Sequence, residues 1–337
     1  EIEQLLACLA GVQREGRGCV LALVGEAGIG KSRLVWELKQ RSAPAVNWLE
    51  TRCLPYFQDT SLYPLITLLE QLLHFEPTDD AQRKLSKLGQ ALAQFGLAQA
   101  EIVHLLALLL GLAAASGAPL AINEEQRQQM RVACVTLLTR FASQRPTVLI
   151  VEDLHWADPS TLAWLDASVA ALTAARCLTL FTLRPTFRPD WLAGRRVRQI
   201  ELGPLTTDQV EMMAADMAGE LGLPDEMRRR LAAQANGIPL FVEELTHLLL
   251  AGDERARAGA IPATLSDLLQ ARLDRVGAAR ETAGWAAALG REFSYALLAA
   301  AAPLPEARLQ THLAALVEAD LLVPSTAGGQ ARYAFRH

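Results

Sequence analysis

Apolar residues in the first fifteen positions recur at helical spacing. Ile2, Leu5, Leu6, Leu9 and Val12 fall on one face, so residues 1–15 are expected to form an amphipathic helix. CVLALV at 19–24 follows, an unbroken apolar run between Gly18 and Gly25, as in a strand buried on both faces. Lys31 to Arg41 returns to helical spacing, and VNWLETRC at 46–53 alternates like a second strand. Residues 62–75 and 85–140 are rich in Leu, Ala and Gln at helical spacing and predict a helical insertion. TVLIVED at 147–153 predicts a third strand. Asp158-Pro159 has the form of an N-cap followed by proline at the first helical position, opening a helix that runs to Ala174. CLTLFTLR at 177–184 and VRQIEL at 197–202 predict the fourth and fifth strands. Strands alternating with helices imply right-handed crossovers and a parallel sheet, hence an α/β fold.

After Pro204 the strand pattern stops. Residues 206–276 are helical in pattern and broken at Asn236-Gly237-Ile238-Pro239. Residues 280–337 predict three short helices and then two apolar stretches around Gly328-Gly329, a hairpin. Three helices and a hairpin suggest a winged helix. There is no tandem repeat.

Composition narrows the class. The chain has 337 residues, 51% hydrophobic and 20% charged, a folded profile with room for two or three modules. Its net charge is −5, so no global basic field recruits nucleic acid or anionic lipid. No apolar run reaches the ~20 residues that span a bilayer, and no signal peptide is visible. The five cysteines, Cys8, Cys19, Cys53, Cys134 and Cys177, lack metal-ligand or redox spacing, which predicts a reduced, cytoplasmic setting. The chain lacks an initiator Met and stops at FRH, so a fragment of a longer protein is expected.

The chemistry concentrates at two places. Gly25-Glu26-Ala27-Gly28-Ile29-Gly30-Lys31-Ser32 matches G-x-x-x-x-G-K-[ST], with a strand before it and a helix after it. Its glycines let successive N–H groups turn inward onto phosphate oxygens, and the helix aims its positive end at the same point. Lys31 is expected to reach the β- and γ-phosphates and Ser32 to offer its hydroxyl to Mg²⁺; Arg33 is a neighbouring candidate contact. LIVEDLHWAD at 149–158 supplies carboxylates at a strand end. Glu152 is expected on the metal side through water, and Asp153 to orient or deprotonate an attacking water. His155 and Trp156 fit either a phosphate contact or loop packing. Arg184, ending the fourth strand, is positioned to read the γ-phosphate. Pro239 breaks a helical pattern and reads either as a turn or as a flat ring packing on adenine.

GEAGIGKSRL, ETRCLPYFQDTSLYPL, LIVEDLHWADPSTLAWL, LFTLRP, NGIPLFVEEL and IPATLSDLLQARLDRV, in this order, resemble the signalling STAND ATPases. More narrowly, they resemble the ATPase module found beside bacterial adenylate/guanylate cyclase domains and in large LuxR-type regulators. The resemblance covers nearly the whole chain. It implies an α/β P-loop NTPase of ASCE/AAA-like type, with a five-stranded parallel sheet in the order 5-1-4-3-2. The ATPase domain would occupy 1–204 with the insertion at about 62–140, a helical lid 205–278 and a winged helix 279–337. It assigns Gly25 through Ser32 to Walker A, Glu152 and Asp153 to Walker B, Arg184 to sensor 1 and Pro239 to the Gly-x-Pro element near the base. Phe335-Arg336-His337 is similar to the element whose histidine touches the nucleotide phosphates in related switch ATPases. Members of this family usually carry a Gly-Arg-Glu entry segment before the first helix; with Glu1 as the first residue given, the resemblance leaves its contacts to the base as an expected departure.

Three functions compete. An ATP/ADP switch with Mg²⁺, ADP-closed and ATP-open, is expected to work with sensor repeats and a cyclase or helix-turn-helix output elsewhere in a longer chain. Nucleotide-dependent self-association is compatible with it. A kinase or metabolic ATPase would need an acceptor site near the γ-phosphate. A replication-initiator type AAA+ ATPase would need DNA contacts, but the recognition-like helix at 305–319 carries Glu306, Arg308, His312 and Glu318 and is not basic, so no direct nucleic-acid contact is expected.

Overall fold

A computed structural model describes residues 1–42, 46–112, 123–194, 196–219, 222–250, 264–319, 321–327 and 330–335. Contacts divide the chain into two compact units, Glu1–Pro204 and Leu205–His337. Among the described residues no helix is long and apolar enough to cross a membrane.

The first unit is built on a parallel sheet of five strands, β1 (Cys19–Val24), β2 (Asn47–Arg52), β3 (Thr147–Glu152), β4 (Cys177–Leu183) and β5 (Val197–Glu201). Their order across the sheet is β2-β3-β4-β1-β5, all neighbours parallel. Burial explains who sits where. Every residue of β3 and β4 is buried, and so is all of β1 but its first residue, as central strands covered on both faces require. β2 and β5 carry polar positions and take the edges.

Helices cover both faces. Leu21, Leu23, Val148, Ile150, Leu178 and Leu180 meet α1 (Ile2–Glu15) and α2 (Lys31–Arg41) through Leu5, Leu9, Val12, Val35 and Leu38. The opposite face, with Val20, Ala22, Leu149, Val151 and Phe181, packs under α3 (Tyr63–Leu72), α4 (Ala81–Gln94), α5 (Ala100–Leu109), α6 (Glu124–Gln144) and α7 (Pro159–Ala174). The predicted helical run 85–140 is therefore three helices. Gly96 and Gly111, both at positive φ, follow the first two, and the third leads directly into β3. Residues 113–122 lie outside the described residues.

The sheet order sets β3, β4 and β1 side by side. Since all run parallel, the loops leaving their carboxyl ends share one edge, where open α/β sheets bind ligands. Residues 25–30, 153–158 and 184 are on those loops.

The second unit contains α8 (Thr207–Ala218), α9 (Asp225–Gln234), α10 (Pro239–Leu250) and α11 (Leu265–Arg275). Then come α12 (Ala279–Leu289), β6 (Glu292–Ser294), α13 (Tyr295–Ala301), α14 (Glu306–Glu318), β7 (Leu322–Ala327) and β8 (Gln330–Phe335). It has two cores, one around Val210, Leu231, Phe241 and Leu245, the other around Ala286, Phe293, Leu298, Leu313 and Leu316. Glu244 of α10, buried, pairs with Arg272 of α11, whose Nε donates to the Ala319 carbonyl at 3.0 Å. β7 and β8 form the antiparallel hairpin expected from sequence, its tip at 328–329 outside the described residues. β6, three residues long, adds an unforeseen third strand in the order β6-β8-β7. His312, counted above among the polar residues of the recognition-like helix, is buried instead. Its Nδ1 lies 2.7 Å from Thr282 Oγ1, so the ring is turned into the core and is not part of that surface.

Asp158 ties one corner of the site edge together. As the α7 N-cap it accepts from Ser160 N and Thr161 N at 2.9 and 3.0 Å, and from Leu62 N, 96 residues earlier, at 3.2 Å. The carboxylate is 3% exposed. Asp158→Ala removes a cap and strands a buried amide, so urea denaturation is expected to show a loss of about 2–4 kcal/mol. A loss within experimental error would contradict this account of the corner.

Candidate functional site

The loop after β1 is shaped by three glycines and one apolar anchor. Gly25 N donates to Leu183 O at 3.1 Å, carrying the β1–β4 pairing one residue past the strand. A Cβ at Gly25 would stand 2.7 Å from Ile29 Cγ2 and 3.2 Å from Leu202 Cβ, so only glycine fits. Ile29 is buried, and its N–H closes a turn on Glu26 O at 3.3 Å. Gly28 and Gly30 have φ of 77° and 104°, a backbone other residues adopt only under strain. Glu26 and Ala27 face solvent. α2 begins at Lys31, so the amides of its first turn have no acceptor within their own helix.

Lys31 folds back over this loop. Its Nζ donates to Gly25 O at 2.7 Å and Glu26 O at 2.8 Å, and the side chain is buried. Burial pulls its pKa below the usual lysine range; the Asp153 carboxylate opposes that shift and the Arg184 guanidinium adds to it. Ser32 and Arg33 are exposed on α2, the Arg33 guanidinium 4.5 Å from the Trp36 ring centre.

The acids come from β3. Glu152 is its last residue, 2% exposed, and pairs with Arg52 at the end of β2. The parallel register sets Arg52 opposite Glu152. Asp153 turns into the left-handed region (φ 55°, ψ 45°), with its N–H on Thr182 Oγ1 at 2.9 Å. Its Oδ2 is 3.6 Å from Arg52 Nε. One guanidinium thus serves both carboxylates. In sequence Arg52 shows only as a charge closing an edge strand, and its meaning depends on the β2–β3 register.

Beyond Asp153 the chain makes a short 3₁₀ turn, Leu154–Trp156, anchored by fully buried Leu154. Arg184, one residue past β4, holds its guanidinium 5.8 Å from the Trp156 ring. The His155 ring is 5.1 Å from the same indole. Burial lowers the His155 pKa; Asp153 raises it, and the Arg184 and Lys31 cations lower it further.

Lys31, Asp153, Arg184 and His155 are therefore brought within one another's electrostatic reach, with Gly25–Ser32 and Glu152 at the same sheet edge. Pro239 is not part of this unit: it is the first residue of α10, after a turn in which Asn236 and Gly237 have φ of 48° and 68°. His337 and Arg336 lie outside the described residues.

Loop amides, a buried ammonium and a guanidinium suit a polyphosphate. The oxygen donors at this edge, the Ser32 hydroxyl and the Glu152 and Asp153 carboxylates, suit a hard divalent cation such as Mg²⁺. Among the described residues no three His, Cys, Asp or Glu side chains form a metal cluster, so such a cation would draw most of its ligands from phosphate and water.

Comparisons with known proteins bear on the family and the fold. The model of the AAA ATPase domain family matches residues 1–180. An uncharacterized protein of Rhizobium meliloti (strain 1021) is 28% identical over 340 residues, covering 96% of this chain and 32% of that protein. The chain thus spans about a third of that relative's length. Among solved structures, PH0952 from Pyrococcus horikoshii, a Signal Transduction ATPase with Numerous Domains (STAND) protein with a tetratricopeptide repeat sensor, is similar with a TM-score of 0.51 and 16% identity. That likeness covers 99% of this chain and 40% of PH0952, and at this identity it speaks for the fold alone. Cdc6p from Pyrobaculum aerophilum is more distant, with a TM-score of 0.42 and 12% identity over 99% of this chain and 88% of that one. The fold is an α/β P-loop NTPase of the AAA-like kind.

The Arg52–Glu152 pair yields a direct test. Arg52→Ala leaves a buried carboxylate without its guanidinium, which costs roughly 3–5 kcal/mol. Thermal or urea unfolding is expected to show that loss, and Arg52→Ala combined with Glu152→Gln to recover most of it. If the second change recovers nothing, Arg52 does not hold Glu152.

Proposed function

The chain belongs to the AAA ATPase domain family, and from that premise we propose that it is a regulatory switch controlled by ATP and ADP. In this reading the module binds ATP with Mg²⁺ at Gly25–Ser32, hydrolyses it slowly, and signals its nucleotide state to other parts of a longer chain. ADP favours a closed arrangement and ATP an open one. The observation that carries the reading is Lys31: a buried ammonium bonded to two carbonyls of its own loop, beside Asp153 and Arg184.

Each residue then has a task. The loop amides and the α2 N-terminus hold the phosphates, and Lys31 exchanges its carbonyl partners for β- and γ-phosphate oxygens. Arg184, steadied by Trp156, distinguishes the γ-phosphate. Asp153, on its left-handed turn, orients the attacking water. Ser32, and Glu152 through water, would hold Mg²⁺, which when bound supplies neutralisation of phosphate charge. Arg52 already shares Glu152 and Asp153, so it sets how freely those acids serve nucleotide. Pro239 is assigned the base contact, and 279–337, read as a winged helix, the role of a second sensing surface.

The switch part draws on two supports. PH0952 joins a similar fold to a tetratricopeptide repeat sensor, and this chain spans only part of its curated relative. Sensor repeats and a cyclase or DNA-binding output on the same polypeptide are the proposed partners. A switch also requires differential affinity, since a ligand that binds both states equally shifts neither.

Small-angle scattering and limited proteolysis with Mg·ADP and with Mg·AMP-PNP test the proposal. The two nucleotides are expected to give different profiles, and Lys31→Ala to abolish the difference while weakening both at least about tenfold, as loss of charge-assisted hydrogen bonds implies. Identical profiles with both nucleotides bound would leave an ATPase and remove the switch. Unchanged affinity in Lys31→Ala would remove the site.

A further inference from the structure

Both ring nitrogens of His155 are buried and have no hydrogen-bond partner. Buried polar atoms are nearly always paired in folded proteins, because an unpaired one keeps its full desolvation cost. The position of this ring indicates what would pair it.

His155 sits in the turn directly after the acids of β3, at the sheet edge that carries the phosphate-type loop. Buried Leu154 fixes the turn from below, and Trp156, partly buried against the main core, flanks it. Trp156 has His155 5.1 Å away and the Arg184 guanidinium 5.8 Å away, so one indole places both groups. The charges that act on His155 are Asp153, Arg184 and Lys31, two cations and one anion. An imidazole carries at least one N–H donor in either protonation state. A ring donor with no protein acceptor, close to the Lys31 and Arg184 cations as well as to Asp153, is complemented by an anionic oxygen.

We propose that His155 is a further nucleotide-contacting residue whose ring N–H donates to the terminal phosphate of a bound nucleoside triphosphate, beside Lys31 and Arg184. The proposal rests on the reading of Gly25–Ser32 as the nucleotide site. The terminal phosphate is singled out because His155 shares Trp156 with Arg184, the group assigned to that phosphate, while Lys31 spans the β and γ positions. With a diphosphate bound the His155 N–H stays unpaired. The residue therefore contributes to telling ATP from ADP, whereas a residue that only packed the turn would not distinguish them.

Calorimetric titration of the 337-residue chain with Mg·AMP-PNP and with Mg·ADP tests this, using the native protein, His155→Phe and His155→Asn. His155→Phe, which keeps an aromatic ring against Trp156, is expected to weaken AMP-PNP about tenfold, the loss for one hydrogen bond to a charged group, and to leave ADP affinity unchanged. His155→Asn, which keeps a donor, is expected to fall between. Should the variants fold poorly, ¹⁵N spectra of the native His155 ring give the answer directly: AMP-PNP moves one ring nitrogen and ADP does not. Equal losses for both nucleotides, no loss in His155→Phe, or ring nitrogens indifferent to AMP-PNP would overturn the proposal. These outcomes are separable from failure of the underlying site, in which the native chain binds neither nucleotide or Lys31→Ala binds both normally.

Discussion

An ammonium group out of water must be held by oxygens, and at Lys31 those oxygens belong to the loop that the lysine closes. The side chain is buried, its Nζ shared by Gly25 O and Glu26 O. That arrangement is possible only because Gly25 lacks a Cβ, because Gly28 and Gly30 take positive φ, and because Ile29 pins the loop's middle into the core. Each of these fixes the course of the loop that closes on the Lys31 ammonium. The grip on Lys31 is a pair of carbonyl bonds, which phosphate oxygens carrying full negative charge can replace with stronger ones.

The same sheet edge handles the opposite charge problem with one guanidinium. Glu152 and Asp153 are adjacent in sequence, and two carboxylates so close repel each other. Arg52 reaches both because parallel register brings the end of β2 level with the end of β3. The left-handed turn at Asp153 separates the two acids in direction. Glu152 goes inward to the arginine, while Asp153 stays partly exposed and close enough to Lys31 to offset the burial of its ammonium. Trp156 does similar work on the other side, gathering Arg184 and His155 around one ring.

What could be seen in sequence follows burial. The five strands were legible to within a residue or two because central strands covered on both faces read as continuous apolar runs, such as VLIV and LTLF. The glycine-rich loop, the acids and the Asp158-Pro159 helix start were legible because each depends on local backbone geometry. The helical insertion was legible as helix but not in its divisions, since leucine-rich packing hides the breaks at Gly96 and Gly111. β6 escaped because three residues carry no period. Arg52 escaped because its role exists only in the register of two strands whose paired residues lie 100 positions apart in the chain. His312 was misplaced on the surface because its polarity gives no sign that Thr282 waits for it in the core.

The account stands on the backbone of residues 25–32 as a phosphate cradle, and amide spectroscopy addresses that directly. Titrating ¹⁵N-labelled chain with Mg·ATP should shift the amides of Gly28, Gly30, Lys31 and Ser32 most strongly, with the Lys31 ammonium signal moving as it leaves the Gly25 and Glu26 carbonyls. A titration that left these amides unmoved while perturbing another part of the chain would contradict it.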